Sequence, residues 1–152
     1  MNIIHTEDIA RLIAELVNPA LAIVLLAAPW VPRRPEESPW QFWATCLIAL
    51  LIAWSIADNG KAHEVWSGHP TFPSGHESFA AAASTCLARY DRDWIWLMAP
   101  ILAVFGWALV TAGYHDPEDI YGGLVVGPVS AFLAAFAVAM LKNKLRLKPS
   151  RT

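Results

Sequence analysis

Cysteine and charge are both scarce in this chain. Its 152 residues include two cysteines, and 16% of them are charged. Cys46 and Cys86 lack CxxC spacing and fall inside apolar blocks, so we expect small buried residues rather than a disulfide or metal site. No basic segment with a small-residue cleavage site precedes the first apolar block, so we expect no cleavable signal peptide. The formal charge of −2 identifies no partner, and we expect no nucleic-acid binding.

Hydrophobic residues, in contrast, make up 56% of the chain. They form blocks long enough to cross a bilayer, which takes roughly 20 residues per helix. We therefore predict an all-α fold, a polytopic membrane helical bundle of about five spans, built as a single domain over residues 1–152. The predicted spans are residues 9–31, 40–57, 74–90, 94–113 and 119–141.

The first apolar block contains Asn18-Pro19 and allows two interpretations. A membrane helix tolerates proline as a kink where neighbouring groups satisfy the freed carbonyl, which favours one kinked span. The alternative is an interfacial amphipathic helix up to Val17 followed by a shorter insertion. In a kinked span we expect Glu15 and Asn18 to face other helices, as polar groups inside membranes usually do.

Lysine and arginine are distributed unevenly between the predicted loops. Cytoplasmic loops carry an excess of these residues, and the loops 58–73 and 114–118 hold only Lys61. We therefore predict an integral protein of the cytoplasmic (inner) membrane, with those two loops outside and the C-terminus cytoplasmic. The basic residues assigned to the inner side are Arg33, Arg34, Arg89, Arg92, Lys142, Lys144, Arg146, Lys148 and Arg151.

The segment Phe72-Pro73-Ser74-Gly75-His76 opens the third predicted span. Ser74 is a good N-cap, and Glu77 three residues later predicts a capping box. The free N–H groups and positive dipole of a helix start favour an anion such as phosphate. Gly75 lets a ligand approach the backbone closely, and His76 can exchange a proton near neutral pH. The alternative is a capped helix with an incidental surface histidine.

Histidines concentrate on the predicted outer face. His115 and Asp119 are four residues apart, so the carboxylate can orient one imidazole nitrogen and leave the other as a nucleophile or base. Alternatively, Asp119 is only a favourable acid in the first turn of a helix, and the histidines are solvated loop residues. The titratable residues predicted on this face are Lys61, His63, Glu64, His69, His76, His115, Asp116, Glu118 and Asp119.

Lys61, then Pro73-Ser74-Gly75-His76, then His115 with Asp119 and Gly122 together resemble the motifs of the phosphatidic acid phosphatase type 2 (PAP2) superfamily. This family includes membrane lipid phosphatases and vanadium haloperoxidases. Its motifs are a lysine leading to Arg-Pro, then Pro-Ser-Gly-His, then Ser-Arg followed by His-xxx-Asp. The resemblance covers residues 61–127 and the helical membrane layout.

The resemblance implies dephosphorylation of a lipid phosphate or diphosphate at the outer leaflet, without a metal or other cofactor. It implies that His115 attacks phosphorus to form a phosphohistidine, that Asp119 orients His115, and that His76 protonates the leaving alkoxide. We expect the two imidazoles to face each other across a gap wide enough for a phosphate. The residues implied in phosphate binding are Lys61, His69, Ser74 and Gly75.

Both arginines of the family pattern are missing here. Ala108 and Leu109 stand where Ser-Arg is expected, and His69-Pro70 replaces Arg-Pro. Guanidinium groups usually hold phosphate and its developing charge, and losing one such donor costs roughly 3 kcal/mol of transition-state stabilisation. Because an imidazole is cationic only on the acid side of about pH 6.5, we expect modest activity that peaks below neutral pH.

Two other functions remain open at this point. The missing arginines favour a catalytically inactive or repurposed PAP2 scaffold that serves as a membrane binding or structural protein. The grouped imidazoles favour a metal-binding membrane protein, although no spacing matches a zinc signature. The residues that such a metal site would use are His63, His69, His76 and His115.

Overall fold

The computed structural model describes residues 5–31 and 37–146. Over these residues the chain forms helices and no strand, which confirms the predicted all-α fold. The basic turn with Arg33 and Arg34, and the tail with Lys148 and Arg151, lie outside the described residues. The helices are α1 (Thr6–Ala27, followed by a 3-10 turn, Ala28–Trp30), α2 (Pro39–Ala62), α3 (Gly75–Tyr90), α4 (Trp94–Thr111) and α5 (Pro117–Arg146).

Four apolar segments are long enough to cross a membrane: Thr6–Trp30, Pro39–Ala62, Trp94–Thr111 and Pro117–Lys144. The predicted membrane helical bundle is thereby confirmed. The third predicted span, α3, differs from these four because it has 16 residues. At 1.5 Å per residue it is about 24 Å long, shorter than the hydrocarbon core of roughly 30 Å.

α3 lies at the centre of the bundle, in contact with each of the other four helices. Protein rather than lipid therefore surrounds it, and small residues such as Ala80–Ala83 can fill its surface. Glycines of α5 permit this close contact, because a Cβ on Gly127 would lie 2.5 Å from Cβ of Ala81. Gly123 and Gly127 therefore lie at the contact between α3 and α5. Cys46 and Cys86 are free and buried, as predicted.

α1 runs through Pro19 without a break, which supports the single span over the interfacial alternative. Asn18 faces α3, and its Nδ2 donates to the carbonyl of His76 at 3.2 Å. Glu15 is exposed, so the expectation that it faces other helices was wrong. The buried side of α1 includes Ala14 and Leu21, and Glu15 lies about 100° around the helix from Ala14.

α2 extends further than the apolar pattern indicated. The predicted loop began at Asp58, whereas the helix continues to Ala62. The extra turn is packed rather than free, because a Cβ on Gly60 would lie 2.7 Å from Cδ of Pro73. This extension places Lys61 in the last turn of α2, beside the start of α3.

Candidate functional site

The start of α3 is fixed by Ser74. Its Oγ accepts a hydrogen bond from the N–H of Glu77 at 3.2 Å, and its carbonyl accepts one from Oγ of Ser78 at 2.7 Å. The predicted capping box is incomplete, because Glu77 is fully buried and its carboxyl oxygens have no partner among the described residues. Gly106 and Gly123 leave the room in which this side chain lies.

A glycine turn ends α4 and places His115. Gly113 has φ +75°, a backbone conformation that favours glycine. Its N–H donates to the carbonyl of Val110 at 3.0 Å, and the N–H of Tyr114 donates to the carbonyl of Leu109 at 3.0 Å. These two bonds form a Schellman motif, which reverses the chain just before His115.

His115 and Asp119 form the expected pair. Nδ1 of His115 lies 3.2 Å from Oδ2 of Asp119, so Nε2 remains for chemistry. The side chain of Asp119 has no exposed surface. Its Oδ2 also accepts hydrogen bonds from Oγ1 of Thr71 and, at 3.3 Å, from the N–H of Asp116.

Sequence reasoning missed Thr71. Its only signal is a hydroxyl in the polar loop that leads into Phe72-Pro73. That loop is joined to α5 a second time, because the N–H of Ser74 donates to the carbonyl of Asp119 at 3.0 Å. Asp119 therefore ties together the starts of α3 and α5.

The structure brings His76 and Lys61 to the same place. The imidazoles of His76 and His115 lie 5.8 Å apart between ring centroids, inclined at 64°. A Cβ on Gly75 would lie 3.6 Å from Nζ of Lys61, so the ammonium group is beside the helix start. The edge of one ring contacts the other, so the separation of the rings is smaller than the expected phosphate-sized gap.

The surroundings of His115 favour its neutral form. Burial lowers the pKa of its imidazole, and the positive charge of Lys61 acts in the same direction. The hydrogen bond and charge of Asp119 oppose this effect and raise the pKa, but the net direction is downward. At neutral pH the Nε2 lone pair of His115 is therefore present.

Two of the residues implied in phosphate binding, Ser74 and His69, are engaged in other contacts. Ser74 is fully buried, and its hydroxyl accepts a hydrogen bond from the N–H of Glu77. His69 packs its ring on Trp66, with centroids 5.3 Å apart. Within residues 5–31 and 37–146, none of its described contacts reaches His76 or His115.

Of the two missing family arginines, one would stand at Leu109 in the core and the other at His69 in the loop before α3. Ala108 and Leu109 are both fully buried. Arg89 does not replace them, because it lies in the last turn of α3 and pairs with Glu37 at 3.1 Å. Among the residues that the structure describes, Lys61 therefore supplies a cation beside the start of α3.

No group of three or more histidine, cysteine, aspartate or glutamate side chains lies close enough to hold a metal ion within the described part of the chain. His63, at the end of α2, is exposed. The described residues therefore contain no ligand cluster that would support the metal-binding alternative.

Comparison with known proteins identifies the family. The family model described as "PAP2 superfamily" matches residues 55–144, more than half of the chain and the whole of the site. The chain belongs to the PAP2 superfamily.

Two curated relatives are similar to parts of this chain. One is "Phospholipid phosphatase-related protein type 3" of Homo sapiens, 28% identical over 120 residues, which cover 70% of this chain and 17% of the relative. Another is "Lipid phosphate phosphatase 1" of Arabidopsis thaliana, 31% identical over 91 residues, which cover 50% of this chain and 28% of the relative. The chain thus spans less than a third of the length of either. No solved structure matches.

Proposed function

We propose that this protein removes the phosphate from a lipid phosphate or diphosphate through a phosphohistidine intermediate. The observation that carries the proposal is the convergence of His76, His115 and Lys61 at the start of α3, with Asp119 behind His115. Family membership and a relative named as a lipid phosphate phosphatase support it. The exposed apolar surface of the bundle supports a substrate drawn from the membrane lipids.

The reaction needs two steps. Nε2 of His115 attacks phosphorus and the bond from phosphorus to the lipid oxygen breaks, while His76 gives its proton to the departing alkoxide. A water then attacks the phosphohistidine, His76 takes up the proton of that water, and phosphate leaves. Asp119 keeps Nδ1 of His115 protonated throughout, so that Nε2 is the nucleophile.

The charge on phosphate is met by Lys61 and by the first turn of α3. The N–H groups of Gly75 and His76 belong to that turn, where free donors and the helix dipole favour an anion. In our proposal, His69 contributes to phosphate binding only if its ring moves away from Trp66. Exchanging it for arginine should then raise activity above neutral pH.

The decisive experiment measures phosphate release from lipid phosphates by the purified protein and by His115→Ala. We expect release by the wild type, none by His115→Ala, and an acid-labile phosphorylated protein when the wild type is quenched during turnover. Asp119→Asn should retain a small fraction of the rate. Equal release by the wild type and His115→Ala contradicts the proposal.

We further propose that the reaction takes place at the outer leaflet. The support is the scarcity of lysine and arginine in the loops that carry the site, in contrast to Arg89 at the end of α3, Arg92 between α3 and α4, and Lys142 and Lys144 near the end of α5. The C-terminus is then cytoplasmic, as expected from the sequence.

A second candidate is a scaffold that binds a lipid phosphate without turning it over. The buried pair Ala108-Leu109 in place of the family's Ser-Arg, and His69 in place of the other arginine, favour it, because catalysis then depends on one lysine. Retained binding of a lipid phosphate together with no phosphohistidine would establish this function instead.

A further inference from the structure

A groove of about 480 Å³ between α1, α2 and α3 runs away from the candidate site. Its polar end is lined by Lys61, Gly75 and His76. From Lys61 to Leu47 it follows α2 for about 21 Å, at 1.5 Å per residue. Its apolar walls are formed by Leu47, Leu50, Leu51, Trp54 and Phe79.

Apolar side chains along this groove are exposed on α2, one of the helices long enough to cross a membrane. Leu47, Leu51 and Trp54 are 62%, 52% and 66% exposed. A cationic end continuous with an apolar trough fits an amphiphile with an anionic head and a hydrocarbon chain. The groove between α4 and α5, in contrast, is lined by none of Lys61, Gly75 and His76.

Asn18 adds a polar feature beside the head of the groove. Its Nδ2 donates to the carbonyl of His76. Because that carbonyl can only accept, the amide orientation is fixed and Oδ1 faces away from it. Oδ1 is buried and has no partner among the described residues. A buried acceptor left without a donor is unfavourable, and a donor on the substrate would satisfy it.

Resting on the function proposed above, we propose that the substrate is a single-chain lipid phosphate with a hydroxyl or amino donor near its phosphate. Its hydrocarbon chain occupies the groove between α1, α2 and α3, and the donor bonds to Oδ1 of Asn18. A lysophosphatidate satisfies both conditions. A prenyl phosphate lacks the donor, and a diacyl phosphatidate lacks the donor and carries a second chain.

The first test compares 1-oleoylglycerol 3-phosphate with its 2-deoxy analogue, which differs only in the hydroxyl. We expect kcat/KM of the wild type to favour the hydroxyl compound about tenfold. Asn18→Leu should reduce this preference to less than about twofold. The matched control is Asn59→Leu, because Nδ2 of Asn59 also donates to a backbone carbonyl, that of Ser55, while Asn59 is not part of the groove. It should keep the wild-type preference.

The second test concerns the chain. Leu51→Trp narrows the groove, and we expect it to lower kcat/KM for oleoyl substrate several-fold more than for a short hexanoyl analogue. Leu133→Trp is the control, because Leu133 is 51% exposed on α5 and Leu51 is 52% exposed on α2. Equal chain-length profiles for both variants overturn the assignment of the groove.

A binding measurement separates the two proposals. A photoactivatable oleoyl lysophosphatidate should label α1, α2 or α3 of the His115→Ala protein, and the hydroxyl compound should compete better than its deoxy analogue. Inorganic phosphate and glycerol 3-phosphate should compete poorly. Phosphate release without hydroxyl preference overturns the inference and leaves the proposed function standing. Selective binding without release supports the inference and contradicts the proposed function.

Discussion

Thr71 is linked through Asp119 to His115, the nucleophile of the proposed mechanism, without touching it. It donates to Oδ2 of Asp119, the same oxygen that lies 3.2 Å from Nδ1 of His115. Without this donor the carboxylate can rotate, and the imidazole loses its fixed orientation. Thr71 is therefore a positioning residue in the proposed mechanism.

We predict that Thr71→Val lowers kcat roughly tenfold with little change in KM, because a hydrogen bond to a charged group is lost. Thr71→Ser keeps the hydroxyl and should restore most of the rate. The measurement is steady-state phosphate release, with the pH profile recorded for each variant. A rise in KM at unchanged kcat would show that Thr71 acts on binding rather than on His115.

The pKa of His115 gives a second prediction at this scale. Burial holds the pKa of His115 below its ordinary value of 6.5. The imidazole therefore stays mostly neutral at pH 6.5 and becomes protonated only at lower pH. The acid limb of kcat/KM should therefore have its midpoint below about 6.5.

Asp119→Asn tests whether the acid limb of kcat/KM reports the protonation of His115. Asp119 raises the pKa of His115 through its hydrogen bond and its charge. Removing that charge should move the acid limb to still lower pH while the maximal rate falls. A shift of the limb to higher pH would exclude His115 as the titrating nucleophile.

At the scale of helices, the contact between α3 and α5 holds the two halves of the site in register. A Cβ on Gly127 would lie 2.5 Å from Cβ of Ala81 and 2.6 Å from the backbone nitrogen of Ala82. Backbone cannot give way as a flexible side chain does, so the helices must separate. The starts of both helices carry site residues, which would separate with them.

We predict that Gly127→Ala destabilises the protein by about 1–3 kcal/mol, the usual cost of overpacking. Thermal unfolding in detergent should show a lower Tm. Gly75→Ala is the matched control, because its Cβ would meet only Nζ of Lys61 at 3.6 Å and Cβ of Ala57 at 3.8 Å. An unchanged Tm for Gly127→Ala would mean that α3 and α5 are not closely packed.

Element ends were harder to predict than elements. Apolar runs indicate where a helix meets lipid, so the spans were found from the sequence. The last turn of α2 is polar and is held by the packing of Gly60 against Pro73, which no local pattern reveals. For the same reason the sequence placed Lys61 in a loop.

At the scale of the whole molecule, the family motifs predicted which residues would meet. The order of the motifs along the chain and their position on one side of the membrane were sufficient to predict that His76, His115 and Asp119 would meet, because the motif residues lie at or next to helix starts. The burial of Glu77 and the contact of Asn18 with His76 depend on which helices are neighbours. Such tertiary contacts leave no periodic trace in a single sequence.

The last prediction concerns the orientation of the bundle and the short helix α3. In a protein with Cys46 and Cys86 replaced by alanine, single cysteines are introduced at Ser67, Asp93 and Asn143, all of which are exposed. A membrane-impermeant thiol reagent should label Ser67→Cys on intact cells. It should label Asp93→Cys and Asn143→Cys only after permeabilisation, because basic residues flank both positions. Labelling of Ser67→Cys and Asp93→Cys from the same side would show that α3 does not cross. Reversal of all three patterns would place the site at the cytoplasmic face and contradict hydrolysis at the outer leaflet.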